Sequence, residues 1–159
     1  MERFFEKISF EQFKKDIKDD INLYNEYQLP VRKTKCSVGY DFLAIEDFSI
    51  NPGEIKKVPT GIKAKFLEDE GLFIYVRSSM GFKYNVRLCN QVGIIESDYY
   101  NNDSNEGHMW VALQNEGDSV FTCKKGEGFA QCIFQKILTC GDEVETVRVG
   151  GIGSTAKED

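Results

Sequence analysis

The sequence predicts an all-β domain, and three features of residues 36–140 lead to that prediction. Short apolar runs such as LFIYV and MWVALQN follow one another, with Gly, Pro, Asn and Asp between them. Several runs alternate with a period of two residues, for example Phe73 and Tyr75 against Ile74 and Val76, as half-buried strands do. Helical patterns do not separate the strands, which argues against a doubly wound α/β fold. We therefore expect a sandwich, a barrel or a jelly roll.

Composition limits the size, location and partners of the protein. The 159 residues fit one domain, and 41% hydrophobic residues are enough for one core. No run approaches the ~18 consecutive apolar residues of a membrane span, and the N-terminal MERFFEKISF has no apolar signal-peptide region. We therefore expect a soluble, cytoplasmic protein. The net charge of −6 argues against a nucleic-acid or anionic-membrane surface, but an anionic small ligand needs only local positive charge.

Cysteine spacing argues against a disulfide framework and against a zinc site. The five cysteines are odd in number, and no two of them form a C-x-x-C motif. We expect them to be small buried hydrophobic residues in a reducing compartment. They are Cys36, Cys89, Cys123, Cys132 and Cys140.

The two ends of the chain differ from the β region. Residues 9–21 predict an amphipathic helix, because four apolar residues recur at helical spacing and Ser9 and Gln12 are placed as a capping box. The last stretch, VRVGGIGSTAKED, has little apolar content and predicts a mobile arm. The expected segments are a helical extension (1–28), a β domain (29–140) and a C-terminal arm (141–159).

Two segments carry residue types suited to phosphate binding. In RSSMGFK, Arg77, Ser78 and Ser79 follow an apolar strand and offer a guanidinium fork and two hydroxyls. A polar turn at the strand end is the alternative. RVGGIGST, which begins at Arg148, repeats these residue types, and its glycines would let backbone N–H groups converge on an anion. It lacks the lysine and the spacing of a P-loop, and a disordered tail is the alternative.

Four further polar residues stand in apolar or distinctive surroundings. Asp41 in VGYDF could hold a metal-bound water or make a turn. Gln131 in the apolar run AQCIF must find partners, either backbone groups or a ligand. His108, the only histidine, has no nucleophile elbow to serve and is interpreted as a loop residue. In GIIESDYYNN an apolar strand ends at Glu96, which is either a catalytic base or an ordinary polar residue at the core boundary.

Taken together, five motifs resemble those of the trimeric dUTP diphosphatase (dUTPase) family, in the family's order, across residues 29–155. They are VGYDFLA, RSSMGFK, NQVGIIESDYY, GEGFAQCIF and RVGGIGST. Each motif alone is modest, whereas five in order are a specific signal. The resemblance implies a jelly-roll-like β-barrel, a homotrimer with shared active sites, and Mg²⁺-dependent hydrolysis of dUTP to dUMP and pyrophosphate. In the family, a carboxylate orients a water for in-line attack on the α-phosphorus.

The resemblance also implies catalytic roles for individual residues. Glu96 would activate the water, and Gln131 would contact the α-phosphate region or that water. Asp41 would reach Mg²⁺ through water, while the ion is otherwise bound by the substrate phosphates. The phosphates themselves would be bound by Arg77, Ser78, Ser79, Arg148, Ser154 and Thr155.

On the nucleoside side, the resemblance assigns recognition of the base to a β-hairpin. Asn90, with backbone groups near Gly93 and Ile95, would read the amide edge of uracil and exclude cytosine. Tyr99 would pack under the deoxyribose and leave no room for a 2′-hydroxyl.

Five departures from the family pattern are visible, and one of them is a fifth motif that is one residue shorter between Arg148 and its Gly pair. Glu96 replaces the usual Asp, Gly128 replaces a basic residue, Ile152 replaces an aromatic that stacks on uracil, and residues 101–108 form an inserted loop. Glu96 and Ile152 motivate one alternative, a dUTP-binding or regulatory protein with low turnover. A dCTP deaminase of the same fold is the other, and both GIIESDYY and the glycine-rich arm argue against it.

Overall fold

The structure is a computed structural model that describes residues 3–141, 146, 148 and 150–153. Within these residues there are eleven strands and three short helices, and none of the helices has the length and apolar character that a membrane crossing needs. The strands are β1 (Phe4–Lys7), β2 (Tyr40–Leu43), β3 (Phe48–Ile50), β4 (Ile55–Pro59), β5 (Ile62–Lys65), β6 (Glu70–Tyr75), β7 (Val86–Leu88), β8 (Gly93–Glu96), β9 (Trp110–Asn115), β10 (Phe121–Cys123) and β11 (Gly128–Lys136). The helices are α1 (Phe10–Asp16), α2 (Ile21–Glu26) and α3 (Ser78–Tyr84), with a 3₁₀ turn at Ser97–Tyr99.

The strands pair antiparallel throughout the described part of the chain. A four-stranded sheet has the order β2-β11-β6-β8, and a three-stranded sheet has the order β4-β9-β7. β1 pairs with β5, and β10 pairs with β3. Burial alternates along β9, where Val111 and Leu113 point into the core, as the two-residue period of a strand requires. The prediction of an all-β domain is confirmed.

Aromatic rings form much of the single hydrophobic core. Phe13, Phe42, Phe66 and Phe129 are each no more than 1% exposed. Full burial of such a side chain stabilises a fold by about 1.5–3 kcal/mol. Phe13 comes from α1 and stacks on Tyr27, with the ring centroids 5.5 Å apart. The N-terminal segment therefore contributes to the core, and the division of the chain into three segments stays a prediction.

The helix predicted over residues 9–21 is wrong as one continuous helix. α1 ends at Asp16, and α2 begins at Ile21. The Asp20 carboxylate accepts hydrogen bonds from the N–H groups two and three residues further on, at 3.1 and 3.0 Å. This N-cap starts a second helix. The apolar residues of both helices recur at one continuous helical spacing, so the sequence pattern did not reveal the break between them.

The start of α1 matches half of the predicted capping box. Ser9 Oγ accepts a hydrogen bond from the Gln12 N–H at 3.1 Å. The Gln12 side chain does not return the bond to Ser9, because its Nε2 donates to Asp16 instead. The Ser9 N–H donates to Glu106 at 2.9 Å. A residue from the distant 101–108 loop therefore completes the cap.

Cysteine burial agrees with the expectation at two positions. Cys123 and Cys132 are buried, and burial raises the pKa of the Cys123 thiol to about 12. Cys36 and Cys140 are exposed, and Cys89 is partly buried. The interpretation of all five as buried hydrophobic residues is therefore wrong for Cys36, Cys89 and Cys140.

Candidate active site

Three neighbouring strands bring the residues of the first, second and fourth motifs together. Gln131 on β11 lies opposite Asp41 on β2 and opposite Tyr75 on β6, so the three form one row across the sheet. Arg77 lies two residues beyond Tyr75, and its Nε is 3.3 Å from Asp41 Oδ1. We call the residues that converge here the Arg77 cluster. They line a cavity of about 470 Å³ and are Asp41, Arg77, Ser78, Ser79 and Gln131, with Lys33 beside them.

The two serines of the cluster begin a helix and not an isolated turn. Arg77 is the N-cap of α3, and Ser78 is its first residue. The helix ends at Tyr84, and its C-cap Asn85 has a left-handed φ of 52°. The alternative prediction of a polar turn at these residues is therefore wrong, because they form a helix. Both hydroxyls still line the cavity.

Asp41 presents a carboxylate oxygen that has no hydrogen-bond partner among the described residues. The residue is only 7% exposed, and its Oδ1 faces Arg77. The oxygen without a partner in this part of the chain is the buried Oδ2. Buried polar atoms are nearly always paired, and a carboxylate oxygen is also a preferred partner of Mg²⁺ or of its bound water. The Arg77 cluster therefore fits a divalent cation reached through water.

The Gln131 amide has a backbone partner and a restricted position. Its Nε2 donates to the Val76 carbonyl at 3.2 Å. On the opposite side, a Cβ at position 39 would lie 2.6 Å from Gln131 Oε1, and Gly39 avoids that contact. The backbone partner considered from the sequence is present, and the side chain also lines the cavity.

Gly128 makes room for the Arg77 guanidinium. Arg77 Nη1 donates to the Gly128 carbonyl at 2.8 Å, and a Cβ on residue 128 would lie 2.9 Å from Nη1. At position 128, where the resemblance predicts a basic side chain, Arg77 therefore packs against backbone atoms of a glycine. Lys33, which lines the same cavity, was missed by the sequence analysis because only its charge marks it.

A second cavity of about 470 Å³ lies beside β8. It is lined by Asn90 and Gly93, which were expected to read uracil, and by Trp110 and Ile152. Gly93 is buried against Ile74, where an added Cβ would lie 3.1 Å from the Ile74 Cβ. Trp110 was missed because its alternating run marks it only as a strand residue. Ile152 reaches the cavity from the arm, at the position to which the resemblance assigns a stacking aromatic.

The third motif and the arm meet at the end of β8. Arg148 Nη2 lies 3.0 Å from Glu96 Oε2, and the Arg148 N–H donates to Asp98 Oδ2 at 3.0 Å. Asp98 was not expected as a site residue, although it stands two positions after Glu96 in the same motif. We call Glu96, Asp98, Tyr99 and Arg148 the Glu96 cluster. The expected residues Ser154 and Thr155 lie outside the described residues.

Tyr99 is buried beneath Arg148. It is 4% exposed, and the Arg148 guanidinium carbon lies 5.5 Å from the centre of its ring. Its hydroxyl donates to the His108 carbonyl at 3.1 Å and accepts from Asn105 Nδ2 at 2.9 Å. Burial raises the pKa of Tyr99, so the phenol is protonated at neutral pH. Ile95, the remaining expected residue, lies on β8 and is partly buried against the core.

The two clusters lie apart within one chain. Asp41 lies in the row of Gln131 and Tyr75, whereas Glu96 lies opposite Gly71, four positions earlier on β6. Adjacent strands are ~4.8 Å apart and each strand residue advances ~3.4 Å, so the Cα atoms of Asp41 and Glu96 are roughly 20 Å apart. A single chain therefore does not bring its Glu96 to its own Arg77 cluster.

Comparison with known proteins identifies the family. A family model described as dUTPase matches residues 25–156. The deoxyuridine 5′-triphosphate nucleotidohydrolase of Lactococcus lactis subsp. lactis is 45% identical over 130 residues, which covers 80% of this chain and 87% of that one. The chain belongs to the dUTPase family.

Solved structures show the same fold. A dUTPase from Streptococcus mutans superposes with a TM-score of 0.68 at 37% identity, covering 85% of this chain and 96% of that chain. A mutant dUTPase from phage phi11 of S. aureus, in which a structural Mg(II) ion is coordinated, has a TM-score of 0.65. It is 16% identical and covers 92% of this chain and 97% of its own, so it supports the fold alone. The jelly-roll-like fold is confirmed.

Proposed function

We propose that this protein is a dUTP diphosphatase, which hydrolyses dUTP to dUMP and pyrophosphate and so keeps uracil out of DNA. Membership of the dUTPase family supports the reaction. The observation that carries the proposal is the course of β8. This strand runs from Gly93 in the lining of the apolar cavity to a carboxylate, Glu96, three residues on. A nucleotide needs such a path, because its uracil ring fits an apolar cavity and its phosphates must reach a polar reacting centre.

The triphosphate is held by the Arg77 cluster and by the arm. The Arg77 guanidinium and the two adjacent hydroxyls supply donors to phosphate oxygens. The ion pair with Asp41 and the bond to the Gly128 carbonyl orient the guanidinium, so less side-chain freedom is lost on binding. The phosphate-binding residues are Arg77, Ser78, Ser79, Arg148, Ser154 and Thr155, and Gln131 contacts the α-phosphate region or the attacking water.

Uracil and deoxyribose are recognised around β8. Asn90 and the backbone near Gly93 and Ile95 present an amide pattern that matches uracil and not cytosine. Tyr99 packs under the deoxyribose, and its buried ring leaves no space for a 2′-hydroxyl. A site built this way discriminates by contacts that the wrong nucleotide leaves unpaired or sterically blocked.

The chemical step is in-line attack of water on the α-phosphorus. Glu96 accepts a proton from the water as the new oxygen–phosphorus bond forms. The bond between the α-phosphorus and its bridging oxygen breaks, and pyrophosphate leaves with that oxygen. A positioned base contributes about 10²–10⁴-fold to such a step.

Mg²⁺ belongs to the proposal as the cofactor. The buried Oδ2 of Asp41, which accepts no hydrogen bond from the described residues, would hold it through a bound water. When bound, the ion neutralises charge on the phosphate oxygens. The protein residues keep their own tasks, since Arg77 orients the phosphates and Glu96 accepts the proton.

We further propose that the active enzyme is a homotrimer with shared sites. The separation of roughly 20 Å between Asp41 and Glu96 supports sharing, because a base and the phosphate ligands must act within hydrogen-bond reach of one substrate. The Arg77 cluster of one subunit would then meet the Glu96 cluster of another.

A cytoplasmic location is part of the same proposal. Cys36 is exposed and Cys89 is partly exposed, and both carry free thiols. Accessible free thiols are typical of proteins kept in a reducing compartment.

Pyrophosphate release from dUTP tests the proposed function. Micromolar enzyme with Mg²⁺ is expected to release pyrophosphate and dUMP, and chelation of Mg²⁺ is expected to stop the release. Absence of release in both conditions would overturn the proposal. Tight dUTP binding without release would favour the low-turnover binding protein, and ammonia release from dCTP would identify a deaminase.

A further inference from the structure

The inserted 101–108 loop is built against Tyr99. Asn102 is 7% exposed, and its Nδ2 donates to the Tyr99 carbonyl and to Asn105 Oδ1, both at 2.8 Å. Its Oδ1 accepts from the N–H groups of Ser104 and Asn105 at 3.1 and 3.2 Å. Gly107 has a φ of +85°, and a Cβ there would lie 2.7 Å from the Tyr99 carbonyl. These contacts fix the loop in one conformation against the backbone of Tyr99.

The loop also occupies both hydrogen-bonding directions of the Tyr99 hydroxyl. Asn105 Nδ2 donates to it at 2.9 Å, and it donates to the His108 carbonyl at 3.1 Å. A buried phenol with a donor and an acceptor in place has a defined ring position, because any tilt breaks one of the two bonds. The Arg148 guanidinium lies over the ring, with its carbon 5.5 Å from the ring centre.

The N-terminal segment holds the loop from the other side at two points. The first is Glu106, whose carboxylate accepts from Ser9 Oγ at 2.5 Å and from the Ser9 N–H at 2.9 Å. Lys63 Nζ lies 3.4 Å from the same carboxylate. This contact joins the loop to the first residue before α1.

The second point of attachment is His108. Its Nδ1 lies 2.6 Å from Asp16 Oδ2 at the end of α1, and its Nε2 accepts from the Gly61 N–H at 2.9 Å. The side chain is fully buried. His108 is therefore a loop residue, as the sequence indicated, but it anchors the loop to α1.

We propose that Asn105 is the positioning residue for Tyr99, and that Ser9 and Asp16 hold the loop in the geometry this requires. The N-terminal segment thereby sets the discrimination between deoxyribose and ribose. This inference rests on the proposed function, in which Tyr99 packs under the sugar. It adds a specificity role for residues that act through Tyr99 and not through the nucleotide itself.

Selectivity between dUTP and UTP tests the proposal. Asn105→Ala is expected to lower the ratio of kcat/KM for dUTP to that for UTP about tenfold, the effect of one lost buried hydrogen bond. Tyr99→Phe, which removes the hydroxyl and keeps the ring, is expected to lower it similarly. The double variant is expected to be no worse than either single variant, because both remove the same contact.

The ratio of the Kd values for dUMP and UMP gives a second readout that does not require turnover. Ser9→Ala is expected to lower the selectivity for the deoxynucleotide in both readouts by a smaller factor. Lys18→Ala is the matched control, because it removes an exposed ion pair of the same segment with Glu46 and leaves the loop contacts in place. Its selectivity is expected to equal that of the wild type.

The proposal would be overturned if the variants lost activity and affinity equally for deoxy- and ribonucleotides, with both selectivity ratios within twofold of wild type. The loop would then have a structural role only. If Asn105→Ala does not fold, Ser9→Ala and Tyr99→Phe decide the question by the same ratios. Failure of the wild type to hydrolyse or bind dUTP would instead overturn the proposed function, so the two failures are distinguishable.

Discussion

Glu96 places its carboxylate on a side chain one methylene longer than the family's usual aspartate. One carbon–carbon bond moves the group by about 1.5 Å, and a misplacement of ~1 Å can cost on the order of 100-fold in rate. Arg148 Nη2 lies 3.0 Å from this carboxylate in the structure. The longer side chain is therefore oriented by the arm as well as by its own backbone.

Replacement of Glu96 by glutamine separates catalysis from binding. Glu96→Gln is expected to lower kcat by about 10²–10⁴-fold, because the amide cannot accept the proton. The Kd for dUMP should stay within about threefold of wild type, since the amide keeps the shape of the carboxylate. Pyrophosphate release at saturating dUTP and calorimetry with dUMP measure the two effects.

Asp98→Asn is the matched control for that variant, because it removes the neighbouring negative charge and leaves the proposed base. It is expected to lower kcat less than about tenfold through its contact with the Arg148 backbone. Unchanged turnover in Glu96→Gln would locate the base in another residue.

Several residues of the candidate site could be predicted from the sequence, and some of their neighbours could not. The motifs identified Asp41, Arg77 and Gln131, and the structure brings these three together. Lys33 and Trp110 carry no motif signal. Lys33 lies in the segment before β2, where only its charge marks it, and Trp110 reaches its cavity from β9. The position of Trp110 depends on strand pairing, which the residue pattern does not specify.

Among the secondary-structure elements, α1 and the 101–108 loop form one unit joined by His108. Burial lowers the pKa of His108, because the cation would lose its hydration, and Asp16 and the more distant Glu106 oppose this effect. The Gly61 N–H also requires a lone pair on Nε2. The native state therefore contains the neutral imidazole.

Stability should consequently fall on mild acidification. The unfolded chain takes up a proton at His108 near its ordinary pKa of about 6.5, whereas the native chain does so only at lower pH. The stabilisation from the neutral imidazole is complete above the unfolded-state pKa of about 6.5. It is lost as pH falls from there towards the lower native pKa, with a slope of at most about 1.4 kcal/mol per pH unit. Urea unfolding between about pH 7.5 and 5.5 measures the slope.

His108→Gln supplies the reference for this measurement, because glutamine can donate to Asp16 and does not titrate. Its free energy of unfolding is expected to vary less over the same range. Parallel curves for the two proteins would show that His108 does not cause the pH dependence.

The sequence predicted that the strands exist, but it did not predict how they pair or where the helices end. The two-residue period is local, so runs such as β6 and β9 were visible as strands. The order β2-β11-β6-β8 joins strands far apart in the chain, and no local pattern encodes it. The break after Asp16 arises from the cap at Asp20, which overrides a continuous apolar period.

In the whole molecule, the distance between the Arg77 and Glu96 clusters determines how a site can be assembled. If subunits share sites, an Arg77→Ala chain and a Glu96→Gln chain, each inactive alone, can form a complete site together. Refolding an equal mixture is expected to restore roughly a quarter of wild-type activity, because a random trimer pairs intact partners in that fraction.

Pyrophosphate release before and after co-refolding measures this complementation. Each variant refolded alone is the control for residual activity. A mixture no more active than the sum of its parts would show that each chain uses only its own residues.

The cap of α1 has a consequence for the order of folding. Ser9 precedes its partner Glu106 by 97 residues, and α1 has seven residues, too few for a stable isolated helix. At a synthesis rate of ~5–20 residues per second, the first helix waits roughly 5–20 s on the ribosome before the residue that completes its cap exists. The beginning of the chain is thus among the last parts to become native, and a nascent protein truncated before residue 106 would lack a folded N-terminus.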